Sequence, residues 1–264
     1  MTELIPLGIN GFFPYNGRQT ACYLIIKEDT VIILDAGTGI SRLLSEKIKE
    51  IIKDKEINII LSHYHLDHIC GLSYLTGLQL NTKVKLYCPI YPMVKTKNIK
   101  ALKTLLSMPL FSLSFKNLPI KEVIEIKNNN FKINDINIEL INQHHPNGSI
   151  GIKINNEIAY ITDTIISDKT ADFVKNIQLL LHEIWIVKDE QKLIRKESNG
   201  IHPSKKHSYE TGVIKIIKKS QCKQFMPIHI PPWHSQQDIT KLINRIRENE
   251  INTIHTKELK RIII

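Results

Sequence analysis

The sequence lacks the features that mark membrane, secreted or disulfide-stabilised proteins. No apolar run approaches the roughly 18 residues that a membrane span needs. Met1 to Leu4 provide no basic stretch followed by an apolar one, so we expect no secretory leader. The four cysteines form no Cys-x-x-Cys pair, and we interpret them as reduced packing residues. These absences predict a soluble cytoplasmic protein that makes no membrane contact.

Internal repeats, low-complexity linkers and arginine blocks interleaved with aromatic residues are also missing. The 264 residues are enough for a sizeable core, and they favour a single domain over 1–264. The formal net charge of +10 would attract polyanions such as nucleic acid. Because the lysines are spread along the chain, the charge permits an anionic substrate without indicating one.

Short β-branched runs alternate with amphipathic stretches, a pattern typical of a layered α/β fold. Helical spacing predicts one helix from Gly39 to Asp54 and another from Met93 to Ser107. One strand is predicted from Phe131 to Asn142, and a helix from Ser204 to Lys219. The run Ile57 to Leu61 predicts a buried strand that leads directly into a polar loop.

That loop holds three histidines and one aspartate within six positions: His63, His65, Asp67 and His68. Imidazole and carboxylate groups are ligands of zinc and its first-row neighbours. Without a cation, such a cluster would repel itself on protonation and leave polar nitrogens unsatisfied. In an extended loop His63 and His65 point to one side, so that Asp67 and His68 can reach a second ion. A solvated polar loop without metal is the alternative.

The loop matches the H-x-H-x-D-H signature, and the chain from Gly8 to His229 resembles the metallo-β-lactamase superfamily. The resemblance implies a four-layer αββα metallo-β-lactamase sandwich of class α/β, with metals at its edge. It also implies three further ligands in sequence order, His145, Asp163 and His229. By the same resemblance, one ion is bound by His63, His65 and His145, the other by Asp67, His68 and His229, and Asp163 bridges the two.

An aspartate at the bridging position is a hard anionic ligand that can neutralise two divalent ions, whereas a thiolate would favour zinc alone. We therefore expect two divalent ions per chain, with zinc as the first choice and manganese as the second. Two such ions activate a water molecule and clamp the oxygens of the attacked group. This chemistry suits a phosphodiester.

Three shorter segments resemble the RNase Z-like branch of the superfamily. The first runs from Gly11 through Gly39, the second is His182-Glu183-Ile184-Trp185, similar to H-E-A-T, and the third is His207-Ser208-Tyr209, similar to H-S-T. The last two depart from the motif after two residues. In that branch the glutamate orients the histidine, which contacts the scissile phosphate and assists proton transfer. The resemblance therefore implies Glu183 and His207 as catalytic residues beside Asp67, with His202 as the alternative proton donor.

The same branch contains tRNA 3′-end nucleases and phosphodiesterases that open cyclic nucleotides, including enzymes that degrade cyclic mononucleotide signals in antiviral defence. A familiar form of RNase Z carries a tRNA-gripping arm between the ligands that correspond to His145 and Asp163. Only 18 positions (163 − 145) separate these residues here, and predicted strands fill them. We expect a small phosphodiester, first of all a 3′,5′-cyclic nucleotide, and give nucleic acid second place.

Two other expectations remain open. The segment Pro89 to Pro119 is long enough to form a lid or a dimer contact, although a helix and loop packed on the sheet would explain it equally well. We expect a homodimer. A thioesterase or lactonase would use the same seven ligands, but that class does not call for Glu183 together with His207.

Overall fold

The computed structural model describes residues 1–80, 83–190 and 206–264. Their contacts form two compact units, Met1–Lys127 with Lys257–Ile264, and Asn128–Thr256. The single domain expected over 1–264 therefore remains a prediction. No helix within the described ranges combines the length and the apolar character that crossing a bilayer requires.

The secondary structure consists of strands β1–β13 and α-helices α1–α6 in the described ranges, with three short 3₁₀ helices. The strands are β1 Thr2–Gly8, β2 Cys22–Lys27, β3 Thr30–Leu34, β4 Glu56–Ile60, β5 Val84–Pro89, β6 Ile120–Ile126, β7 Asn130–Ile133, β8 Ile136–Gln143, β9 Ser149–Ile154, β10 Ile158–Ile161, β11 Leu179–Glu183, β12 Gln224–Ile228 and β13 Ile262–Ile263. The helices are α1 Glu46–Ile52, α2 Leu66–Ile69, α3 Lys100–Leu105, α4 Asp168–Phe173, α5 Glu210–Ser220 and α6 Gln236–Arg247, and the 3₁₀ helices are Thr38–Leu44, Cys70–Gly77 and Phe115–Asn117.

The first unit is built on a seven-stranded sheet in the order β13-β1-β2-β3-β4-β5-β6. Strands β3 to β6 run parallel, and β2 and β3 are buried almost throughout, as expected for a sheet covered on both faces. Parallel strands end at the same edge of a sheet. The residues after β3 and those after β4 therefore meet at one edge.

Two predicted helices of this unit are wrong in extent. The predicted helix from Gly39 to Asp54 is divided into a 3₁₀ helix and α1, because Ser45 adopts an extended backbone conformation and its side chain caps α1 by accepting from the Ile48 amide. Of the helix predicted from Met93 to Ser107, only α3, Lys100–Leu105, is an α-helix. Apolar spacing alone does not reveal an internal capping residue.

The C-terminal segment 257–264 belongs to the first unit. Strand β13 pairs with β1, and the amide of Leu259 donates to the carbonyl of Pro6. The nearly buried carboxylate of Glu258 accepts from the amides of Ile9 and Gln19 at 3.3 and 2.6 Å and forms an ion pair with Arg42. The end of the chain thereby fixes both ends of the loop that follows β1.

The second unit has a six-stranded sheet in the order β12-β11-β10-β9-β8-β7, in which β10, β11 and β12 are parallel. The predicted strand from Phe131 to Asn142 is wrong as one element: it is two antiparallel strands joined by a turn at Asn134, whose φ is 50°. Asparagine tolerates this left-handed conformation better than most residues. Helix α5 begins at Glu210, after the start predicted at Ser204, which lies outside the described residues.

Candidate active site

In the first unit, the polar loop after β4 adopts the predicted position at the carboxyl edge of the sheet. The four predicted ligands lie together there. The ring centroid of His63 is 4.6 Å from that of His65 and 4.3 Å from that of His68. Nε2 of His68 lies 3.4 Å from Oδ2 of Asp67. The loop therefore presents three imidazoles and one carboxylate as neighbours.

Buried Asp35, in the loop after β3, orients two of these histidines. Its Oδ2 is 2.7 Å from Nδ1 of His68 and accepts from the hydroxyl of Ser62 at 2.7 Å. Because that hydroxyl donates to Asp35, its oxygen accepts from Nδ1 of His63 at 2.9 Å. Asp35 thus acts as a supporting carboxylate that fixes ring orientation.

The loop after β1 also contacts a predicted ligand. The backbone amide of Phe12 donates to Oδ2 of Asp67 at 2.7 Å. Within this loop the side chain of Asn10 is 3.5 Å from the Phe13 carbonyl and accepts from Nε of Arg18 at 2.6 Å. Hydrogen bonds thus connect the segment fixed by Glu258 with the carboxylate of Asp67.

The backbone at Gly71, just after the polar loop, packs closely against the backbone of the loop after β3. A substitution at Gly71 tests this packing. A Cβ on Gly71 would lie 2.2 Å from the Gly37 carbonyl oxygen and 2.8 Å from that of Ala36, whereas one on Gly77 would meet nothing within 4 Å. Gly71→Ala should therefore lower the free energy of unfolding by about 1 to 3 kcal/mol, since overpacking forces backbone shifts. Gly77→Ala, in the same 3₁₀ helix, is the matched control. Equal stability of the two variants in urea would contradict this account.

In the second unit, three parallel strands carry site residues to one edge. Asp163 follows β10, Glu183 ends β11, and His229 follows β12. The loop with His145 joins β8 to β9 at the same edge, because β9 runs antiparallel to β10. One ligand atom from each of Asp163, His207 and His229 lies within 4.8 Å of the others. The topology therefore gathers residues separated by up to 84 positions (229 − 145).

Asp163 is buried at the centre of this group. Its Oδ1 is 3.4 Å from Nε2 of His145, and its Oδ2 is 3.1 Å from Nε2 of His229. The hydroxyl of Thr162 donates to Oδ2 at 2.7 Å. Burial lowers the pKa of His145, against the opposing effect of Asp163, which favours the neutral ring that a metal ligand requires.

Glu183 and His207 form the predicted pair. Nδ1 of His207 donates to Oε2 of Glu183 at 2.9 Å, while Oε1 accepts from the amides of Thr164 and Ser208 at 2.7 and 3.1 Å. Burial would raise the pKa of Glu183, but His207 and the nearby ring of His229, whose Nδ1 is 3.5 Å from Oε2, outweigh it and lower that pKa to about 2. Burial would likewise lower the pKa of His207, but Glu183 raises it. The carboxylate is therefore fixed and charged, and it orients the imidazole.

Trp185 contacts the same histidine and was not among the predicted site residues. Its ring stacks on that of His207, with centroids 4.9 Å apart and an interplanar angle of 26°. It also lies 5.2 Å from His229 and forms an edge contact with Trp233 at 5.3 Å. The one available signal was the departure of His182-Glu183-Ile184-Trp185 from H-E-A-T. That departure places an aromatic wall beside His207.

The chemistry of the donors fits divalent metal ions. A carboxylate or carbonyl oxygen can only accept, so Nδ1 must be the protonated nitrogen of His68, which faces Asp35, and of His145, which faces the Lys206 carbonyl at 2.9 Å. Ser62 imposes the same tautomer on His63. Each ring therefore carries its lone pair on Nε2. This is the arrangement of metal-binding histidines whose second nitrogen is held by the protein.

Three further histidines, His182, His234 and His202, lie outside the proposed ligand set. His182 is buried and donates from Nδ1 to the Glu183 carbonyl at 2.8 Å, as suits a packing residue. His234 pairs with Glu190 at 2.8 Å. His202, the alternative proton donor, lies outside the described residues.

The segment Pro89 to Pro119 is anchored in the core of the first unit by Ile99, Leu102, Leu106 and Leu118, while Tyr91 and Met108 are exposed.

Comparison with known proteins gives the family and the fold. Residues 2–194 match the family model described as Anti-Pycsar protein Apyc1. The chain is 22% identical over 253 residues to the probable metallo-hydrolase YhfI of Bacillus subtilis (strain 168), covering 93% of this chain and 94% of that protein.

Solved structures match over nearly the whole chain. The crystal structure of the metallo-β-lactamase fold protein YhfI from Bacillus subtilis gives a TM-score of 0.74 at 17% identity, covering 98% of each chain. A diphosphatase of the PhnP family gives 0.71 at 16% identity, covering 100% of this chain and 98% of that one. Human tRNase Z, short form, gives 0.66 at 15% identity, covering 99% of each.

The predicted fold class is thereby confirmed, since each structure shares this architecture across the chain. The predicted superfamily and the prediction of a metal-dependent hydrolase are confirmed as well. With the family model matching from residue 2 to residue 194, the chain is a metal-dependent hydrolase with the metallo-β-lactamase fold and belongs to the Anti-Pycsar protein Apyc1 family.

Proposed function

We propose that this protein is a dinuclear metal-dependent phosphodiesterase that hydrolyses 3′,5′-cyclic nucleotides to linear monophosphates. The observation that carries the proposal is the hydrogen-bonded pair of Glu183 and His207 beside Asp163. A leaving alkoxide needs a proton, and an imidazole held by a buried carboxylate is suited to supply it. A thioesterase or lactonase has no comparable need for this pair.

The proposed metal ligands are those that the resemblance implies. One ion is assigned to His63, His65 and His145, the other to Asp67, His68 and His229, and Asp163 is the bridging ligand. Zinc is proposed first and manganese second, because both accept imidazole and carboxylate ligands. When bound, such ions supply an activated water and positive charge for the phosphate oxygens.

The chain's own residues then perform three tasks. His207 uses Nδ1 to hold Glu183, which leaves Nε2 as the nitrogen that transfers the proton to the leaving oxygen. Glu183 keeps the imidazole in that tautomer and stabilises its charged form. Asp67, fixed by the Phe12 amide, is the proposed partner of the attacking water.

The connection between His145 and Asp163 supports a small substrate. Strands β9 and β10 occupy this interval, so it holds no inserted arm that could grip a folded RNA. The family is named for an action against Pycsar. The branch that the sequence resembles includes enzymes that degrade cyclic mononucleotide signals in antiviral defence. We therefore propose a small cyclic phosphodiester as the substrate and a homodimer as the active form.

One observation keeps a second candidate in place. Human tRNase Z, short form, matches 99% of this chain, and the net charge of +10 would suit a tRNA. Cleavage at the 3′ end of a tRNA precursor would use the same metals and the same His207. The two candidates differ in what holds the substrate in place.

Incubation with a panel of substrates distinguishes them. Cyclic mono- and dinucleotides, a 3′-extended tRNA, bis-4-nitrophenyl phosphate and a thioester should be compared in zinc and in manganese. We expect ring opening of 3′,5′-cyclic mononucleotides with broad base tolerance. Efficient site-specific cleavage of the tRNA, with cyclic nucleotides intact in the same metal, would establish the second candidate instead. Turnover of the thioester alone would exclude both.

A further inference from the structure

Trp233 is an exposed aromatic residue that stands next to the catalytic pair and is held in one orientation. It is 53% exposed. Isolated apolar residues on a protein surface need no explanation. Trp233, however, makes an edge contact with Trp185 at 5.3 Å, and Trp185 itself stacks on His207. Only the ring of Trp185 therefore separates Trp233 from the imidazole of His207, the proposed proton donor.

Polar contacts fix the indole at its other side. Nε1 of Trp233 donates to Oε1 of Glu190 at 3.3 Å, and the same oxygen lies 2.8 Å from Nε2 of His234. Burial raises the pKa of Glu190, but His234 and Trp233 outweigh it and lower that pKa, which favours the carboxylate as acceptor. The ring of His234 also packs edge-on to Trp233, at 6.3 Å and 89°.

The backbone around Trp233 restricts it further. Ile230, Pro231 and Pro232 are buried, and the amide of His234 donates to the Pro231 carbonyl at 3.1 Å to close a turn. Proline fixes φ, so this turn has few alternative conformations. An indole whose edge is hydrogen-bonded and whose backbone is fixed loses little entropy when a ligand packs against it. The position is thus preorganised and yet open to solvent.

We propose that Trp233, supported by Trp185, is the platform on which the base of the substrate stacks. A planar heteroaromatic base is the ligand chemistry that fits an open indole face, because every nucleobase presents a π-face. Stacking does not depend on the hydrogen-bonding edges of the base, and this accounts for tolerance toward purines and pyrimidines. This inference rests on the proposed function, since it assigns the base of that substrate a place.

The test compares two ligands that differ only in the base. These are 3′,5′-cyclic AMP and methyl riboside 3′,5′-cyclic phosphate, which carries the same cyclic phosphodiester and no base. Trp233→Leu keeps an apolar side chain without a π-face, and Trp233→Phe keeps a π-face. We expect Trp233→Leu to raise the KM for cyclic AMP about tenfold and to leave the KM for the base-free ligand unchanged. Trp233→Phe should remain within about threefold of the unmodified protein.

A merely structural role predicts another pattern. If Trp233 only holds its loop, Trp233→Leu should change the KM for both ligands by the same factor, or lower kcat without affecting KM. Either result would overturn the proposed stacking platform. A melting temperature for each variant identifies loss of folding. If the leucine variant does not fold, Trp233→Phe still distinguishes the two roles. The phenylalanine side chain keeps an aromatic ring but loses the hydrogen bond to Glu190.

A binding measurement separates this inference from the proposed function. A phosphorothioate analogue of cyclic AMP should quench tryptophan fluorescence in the metal-loaded protein, and Trp233→Leu should weaken its affinity about tenfold. Binding of this kind without any hydrolysis of cyclic nucleotides would refute the proposed function and support the platform. The opposite result is hydrolysis of cyclic nucleotides by the unmodified protein, with equal affinity for the analogue in the unmodified protein, Trp233→Leu and Trp233→Phe. It would support the proposed function and refute the platform.

Discussion

Replacing Asp163 by alanine is expected to release at least one metal ion per chain and to reduce turnover by on the order of 10³ or more. Asp163 is the proposed bridging ligand, buried between His145 and His229 with contacts of 3.4 and 3.1 Å. Its loss removes one of the two carboxylates among the seven proposed ligands and leaves Asp67 as the other, so two divalent ions would repel each other more strongly there. Elemental analysis after metal supplementation measures the content.

The comparison needs a control that removes a carboxylate elsewhere in the second unit. Asp172→Ala is suitable, because Asp172 is exposed and pairs only loosely with Lys219, at 3.7 Å. It should retain the metal content and the activity of the unmodified protein, for which we expect close to two ions per chain. Less than one ion in the supplemented, unmodified protein would refute the dinuclear proposal.

His207→Ala is expected to reduce turnover by roughly 10² to 10⁴ and to leave the metal content unchanged. The imidazole is the proposed proton donor, bound to Glu183 at 2.9 Å and stacked on Trp185. Rates with a substrate whose leaving group is already acidic should fall much less. A 4-nitrophenyl phosphodiester therefore serves as the internal control, since 4-nitrophenolate leaves without a proton.

Glu183→Gln tests whether the two residues act as a unit. Its amide cannot replace both oxygens, which accept from His207, Thr164 and Ser208. We expect a smaller loss than for His207→Ala, and a double variant much less impaired than the product of the single losses. His202→Ala is the decisive comparison: a severe loss there, with His207→Ala nearly active, would show that His202 is the proton donor.

The parts of the fold that were predictable are those in which a local pattern determines burial. The strand predicted from Ile57 to Leu61 is β4, displaced by one residue at each end, because a β-branched run enclosed by turns has few alternatives. The helix predicted from Gly39 to Asp54 was not correct, since the capping geometry at Ser45 depends on how the preceding 3₁₀ turn packs. Periodicity indicates which face is buried, but not where a helix is interrupted.

The candidate site shows the same limit. The spacing of the polar loop after β4 nominated its four ligands, whereas the later ligands and the pairing of Glu183 with His207 were implied by the family resemblance. Spacing could not predict that the Phe12 amide contacts Asp67 or that Trp185 stacks on His207. These contacts join residues 55 and 22 positions apart (67 − 12 and 207 − 185) and depend on loop conformation, for which the sequence offers no periodic signal.

The contacts between the C-terminal segment and the loop after β1 can form only late in synthesis. Residues 1–127 leave the ribosome long before Glu258 does, and until then the amides of Ile9 and Gln19 lack their carboxylate acceptor. Strand β1 likewise remains an open sheet edge until β13 arrives. We therefore expect the nascent first unit to complete these contacts only after residues 257–264 have been made, because the contacts have a very high sequence separation. Arrest of translation shortly before residue 257 would leave a chain with every proposed ligand present and the loop that positions Asp67 unsecured.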